Sequence, residues 1–223
     1  MDGDGAPPAR IFLRPIGSPL TIAMAGLAIG SLVQAGYDLH WLKASQGHEV
    51  GLILISVPFL LQAIACVFAY LSRDGAAGAA IGVLATGWLG LGLVHLASHP
   101  GSRSGALGLM LIAAGGVLIL SALAVANAKP LPGLVFVLAG VRFVLSGIFE
   151  LGAAQPWVHA AGILSLVVLG LAAYSVLAFE LEGEQHEPVL PTFRRGRGRD
   201  AVLGEPALQV DGAVGEAGVR QMT

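Results

Sequence analysis

From residue 19 to residue 179 apolar positions dominate the chain, and the few polar positions divide it into regular segments. Six apolar runs result: Pro19 to Leu39, Gly51 to Leu71, Ala76 to Ala97, Gly105 to Ala126, Leu131 to Leu151, and Trp157 to Phe179. Each has about the length of roughly 20 residues that a helix needs to cross a hydrocarbon layer about 30 Å thick. With no water to bond, a backbone in that layer must satisfy its own amides, so the runs predict helices rather than open strands. A membrane barrel would alternate apolar and polar positions, and no such alternation is present. The expected fold class is an all-α integral membrane protein with six transmembrane helices in one bundle.

The pattern also divides the chain. Residues 1–18 form an N-terminal segment, residues 19–181 the six-helix domain, and residues 182–223 a tail rich in Glu, Gly, Pro and Arg. The tail lacks periodicity and is expected to be disordered. The first run follows Arg10 and Arg14 as a signal peptide would, but it is long, unmarked by a small-residue cleavage site and followed by five more, so it reads as helix one. Pro58 removes a backbone bond in mid-helix two, and two readings fit: a structural kink or an opened cavity.

Composition supports the membrane reading, with 55% apolar and 12% charged residues and a mean hydropathy of +0.78. A soluble domain carries about 25% charged residues, and one of this size would have too much apolar surface to hide. The net charge of −2 says less than where the charges lie. Nine cations (Arg10, Arg14, Arg73, Lys129, Arg194, Arg195, Arg197, Arg199, Arg220) flank one side of the spans, against Lys43 and Arg103 on the other. The positive-inside rule then places both termini in the cytoplasm of a multi-pass protein in the plasma (inner) membrane. The basic stretch from Phe193 to Arg199 suits a juxtamembrane cluster on anionic lipid better than an RNA-binding tract. Cys66 is the single cysteine, so no intramolecular disulfide exists.

The interruptions inside the runs carry the candidate chemistry. Among the 32 glycines, Gly26 with Gly30 and Gly78 with Gly82 are small-residue pairs, and Gly133, Gly140 and Gly147 make one stripe on helix five; all predict close helix packing. Gln62, Thr86 and Arg142 lie within about two residues of the midpoints of helices two, three and five, with Trp88 beside them. An arginine at that depth must face a protein interior or a wet cavity. Its fork of donors suits a carboxylate; the alternative is a locally satisfied arginine, for which Glu150 sits about 12 Å along the helix and out of line. His95, Glu150 and His159 form a second layer toward one end and are candidate proton acceptors. No metal-ligand spacing, phosphate loop or catalytic triad is visible, so no metal, no cofactor and no enzymatic activity are expected.

The spacing of Gln62, Tyr70 and Trp88 matches the pattern Gln, Glu-Tyr, Ser-Phe-Trp of the acetate uptake transporter family, the SatP-like six-helix membrane proteins, which the chain resembles from about Arg14 to Glu182. Helix six adds His159, Ala161, Gly162, Gly170, Tyr174 and Glu180, and helix one adds Gly36 and Tyr37. The family's opening signature is reduced to one proline and one leucine in the segment Arg14 to Leu20. The resemblance implies a homo-oligomer, expected to be a hexamer, that passes acetate or similar small carboxylates with protons. It places Tyr174 on the substrate path with Gln62, Thr86, Trp88 and Arg142. It also puts Ala23, Leu84 and Ala139 where the family narrows its path with two aromatics and a leucine. The expected function is a small-carboxylate transporter or channel, with protons, the bilayer and further copies of the chain as partners and no nucleic acid. The alternative is a non-transporting membrane scaffold or accessory subunit.

Overall fold

The computed structural model describes residues 17–185, 187–196 and 199. Six helices are long and apolar enough to cross a membrane: α1 (Pro19–Asp38), α2 (Ala44–Leu71), α3 (Gly75–Ala97), α4 (Gly105–Ala126), α5 (Pro130–Glu150) and α6 (Pro156–Gln185). No strand occurs among the described residues, so the expected fold class is the observed one. Pro19 and Gln185 lie at one end of the bundle, the terminal end; Asp38, Ala97 and Glu150 lie at the far end. Trp41 and Trp157 are exposed at the far end, as interfacial aromatics are.

Two helices outrun the apolar pattern. α2 begins with a tight turn at Ala44–Gln46, where the Gln46 side chain accepts the Lys43 amide at 3.0 Å, so polar residues wind into helix before the apolar run. α6 continues past Phe179 to Gln185, so residues 182–185, expected in a disordered tail, are its last turn. They hold because Glu182 is 5% exposed and ion-paired with Arg194 at 2.5 Å. The segment 187–196 folds back as a strap: the Tyr174 hydroxyl donates to the Pro191 carbonyl at 3.1 Å and the Arg195 amide to the Ala128 carbonyl at 3.1 Å. What the sequence predicts for residues 1–16 and 200–223 lies outside the described residues.

The helices α1, α3 and α5 are the most buried, and α2 and α4 the least. α4 packs most closely on α5, and α1 on α6. The α5 glycine stripe explains the first contact: a Cβ at Gly140 would stand 2.7 Å from the Gly115 carbonyl oxygen, and one at Gly147 would stand 2.6 Å from that of Gly108. Backbone meets backbone there, which only small residues permit. On the α1 side, Gly30 lies under Pro58, whose ring sits within a π-helical turn at Ile55–Phe59. Widening the helix by one residue absorbs the missing bond, and Pro58 is buried against α1, the structural reading of its kink. At the terminal end, Asp74 caps α3 by accepting the Ala77 amide at 3.4 Å and pairs with Lys129 in the α4–α5 turn.

Candidate functional site

Besides Glu182 at the terminal end, buried charge occurs among the described residues where α1 meets α5. Arg142 of α5 is 3% exposed, and Asp38, the last residue of α1, is 5% exposed. The Arg142 Nη2 and Asp38 Oδ2 atoms face each other at 3.6 Å, well beyond the 2.7–2.9 Å or so of a closed charge-assisted hydrogen bond. The pair is apposed but open.

Each partner is held by its own helix and a neighbour. Gln34, one turn before Asp38, donates to Asp38 Oδ1 at 2.8 Å. Arg142 Nε donates to Ser165 Oγ of α6 at 3.1 Å, and that hydroxyl donates to the Ala161 carbonyl at 2.9 Å. The guanidinium carbon stands 5.3 Å from the Trp88 ring of α3 and 5.3 Å from that of Phe143. These two rings meet edge to face at 6.0 Å, which fits a desolvated cation held against aromatic faces. A carboxylate at a helix C-terminus opposes the helix dipole by roughly 0.3–1 kcal/mol, so Asp38 does not stabilise α1; it answers Arg142.

Several buried polar atoms in this region make no hydrogen bond: both Arg142 Nη atoms, Asp38 Oδ2, Gln34 Oε1, Ser146 Oγ, His95 Nε2 and Trp88 Nε1. Buried polar groups are ordinarily bonded, so a cluster of unmet donors and acceptors marks a place where water or a ligand binds. A cavity of about 210 Å³ opens beside them at the far end, with Asp38, Gln34, Ser146, His95 and Glu150 in its walls. Asp38 lines this vestibule and also faces Arg142, which lies behind it and outside the lining.

The outer titratable layer is gathered here. His95 packs edge-on against Tyr37 at 5.0 Å. Glu150 accepts the Ser104 amide at 2.7 Å and so ties the start of α4 to the end of α5. His159 lies at the rim, its Nε2 3.2 Å from His40 Nδ1, while Gln155 Nε2 stands 3.0 Å from His40 Nε2. His40 adopts a left-handed conformation (φ 60°) in the turn that ends α1. The Trp41 amide closes that turn on the Gly36 carbonyl at 2.8 Å, a Schellman-type stop.

The midplane layer is not gathered as its depths suggest. Thr86 is exposed, and its hydroxyl bonds its own helix at the Val83 and Gly82 carbonyls, at 3.0 and 3.2 Å. Equal depth does not mean a common face, and Thr86 points away from Arg142. Tyr174 is placed at the terminal end, bonded to the strap. Gln62 is buried and donates to the Ala23 carbonyl at 3.2 Å, so it joins one constriction position but does not line the vestibule. Ala23, Leu84 and Ala139 all sit in the continuous apolar core with Phe136. Trp88 alone of the other path candidates touches Arg142. Asp38 and Gln34 are the residues of this buried polar cluster that sequence reasoning passes over.

No family model matches the chain, and no curated protein does. Among solved structures, one described as the structure of the bacterial acetate channel SatP matches with a TM-score of 0.68. The chain has the fold of SatP. The match covers 79% of this chain and 99% of SatP at 18% identity, so what the two share is the architecture. The resemblance read from Gln62, Trp88 and the α6 residues is therefore borne out as a distant one, carried by the SatP fold. Within that fold this chain buries the Asp38–Arg142 pair toward the far end.

Proposed function

We propose that this chain is a membrane transporter or channel for acetate or similar small carboxylates. It works with protons, as a homo-oligomer in the plasma membrane, with both termini cytoplasmic. The observation that carries the reading is the buried arginine whose two Nη atoms make no hydrogen bond and face an acid that lines a vestibule, in a fold shared with an acetate channel. A carboxylate is a small ligand that can meet two guanidinium donors at once. The excess of cations flanking the terminal end supports the orientation and makes the vestibule the external mouth. The exposed apolar surface of α2 and α4 offers contact area for further copies.

Uptake of labelled acetate into proteoliposomes tests this directly. Transport above protein-free vesicles is expected, and Arg142→Gln should lower it about 10- to 100-fold, as loss of a hydrogen-bonded charge does. Unchanged uptake in that variant removes Arg142 from the path. Absence of carboxylate uptake in the parent protein returns the chain to the scaffold reading, which the solid packing of Trp88, Phe136 and Phe143 at 1% exposure or less favours.

A further inference from the structure

A buried arginine that attracts carboxylates already has one beside it. Asp38 faces the vestibule on one side and Arg142 on the other, so an incoming carboxylate meets Asp38 first and competes with it for the same guanidinium. Charge decides how that competition ends. Arg142 and Asp38 together are neutral; adding a carboxylate leaves a net negative charge in a dry, low-dielectric interior, which is costly. Adding a carboxylate and a proton leaves none.

We propose that Asp38 holds the transported proton: protonated from the vestibule, it releases Arg142 to the substrate carboxylate, so that one proton moves with each carboxylate and the loaded site stays neutral. The inference rests on the carboxylate reading above. In the step, a proton from vestibule water forms an O–H bond on an Asp38 carboxylate oxygen. The substrate anion then accepts the Arg142 N–H donors, and when it leaves on the other side the Asp38 proton leaves with it and the pair re-forms. No other bond is made or broken.

The groups around Asp38 leave this role to it. From α5 it faces Arg142, Ser146 and Glu150; from α3, His95; from the α3–α4 loop, Arg103; from the start of α6, Gln155; and from its own segment, Gln34, Tyr37 and His40, all in or behind the vestibule wall. Glu150 is engaged by the Ser104 amide, and His40 and His159 bond each other at the exposed rim. A proton on Glu150, His95 or His159 balances charge but leaves Asp38 occupying Arg142. A proton on Asp38 does both. Asp38 Oδ2, which makes no hydrogen bond, is the oxygen free to take it from vestibule water.

The test uses proteoliposomes, labelled acetate and separate control of the pH gradient and the membrane potential. The parent protein should accumulate acetate along an inward proton gradient and ignore potential. In Asp38→Asn no proton rides along: counterflow exchange persists, the pH gradient no longer drives uptake, and an inside-negative potential of about 60 mV lowers accumulation about tenfold, the factor for one charge. Proton-driven, potential-independent uptake in Asp38→Asn overturns the proposal. If that variant lacks counterflow, Asp38→Glu decides: restored proton-driven uptake supports the role, and its failure, or exchange without proton drive, refutes it. No acetate transport in the parent protein is a separate result, which fails the carboxylate reading itself.

Discussion

At the scale of single residues, Arg142 and Asp38 have meaning only together. Removing one partner of a buried pair strands the other, at about 3–5 kcal/mol, whereas removing both can be nearly neutral. In detergent, Arg142→Gln and Asp38→Asn should each lower the melting temperature, and the double variant should recover most of the loss; additive losses would show that the pair is not coupled. The arginine is legible in the sequence because a lone cation in mid-span must be answered by a protein partner or a wet cavity. Its partner is not, because Asp38 closes the first apolar run and a carboxylate at a helix end reads as interfacial. Charge balance is the signal that reaches it: an intramembrane arginine calls for an acid, and Asp38 and Glu150 are the acids within the predicted spans. Glu150 is the nearer along the chain, but a helix carries it out of line, while Asp38 arrives from another helix.

At the scale of helices, the spans and their packing are the part the sequence states best. Apolar length finds all six helices, and the seven-residue glycine spacing finds the α4–α5 seam, because both depend on local composition and periodicity. Facing is less legible: depth alone groups Thr86 with Arg142, and only the rotation of α3 separates them. The seam also makes a sharp contrast between neighbours. A Cβ at Gly115 would stand 2.5 Å from the Gly140 carbonyl oxygen, whereas nothing lies within 4 Å of one at Gly116. Gly115→Ala should therefore destabilise the protein by about 1–3 kcal/mol, the usual cost of overpacking, and Gly116→Ala should leave it unchanged or firmer. Thermal unfolding of the two variants side by side checks this; equal melting temperatures would mean the helices part more easily than their backbone contact implies.

At the scale of the whole molecule, the strap joins the end of α6 to the α4–α5 turn through Arg194, Arg195 and Tyr174. Composition reads this segment as tail, because its ties are a handful of long-range polar contacts rather than a pattern. Arg194→Ala leaves Glu182 without its cation and should speed trypsin cleavage of the strap at Arg195, as limited digestion followed by mass spectrometry would show. Cleavage at the parent rate would mean that the ion pair does not hold the strap. A different consequence follows from Gly30. Its missing side chain is the space into which Pro58 of α2 and the Trp88 indole of α3 fit, at 2.9 and 3.0 Å from where a Cβ would be, and that indole is the wall behind Arg142. The position of the charge is thus set from the rear by an uncharged residue on another helix, so a substitution at Gly30 or Pro58 can move Arg142 without touching the vestibule.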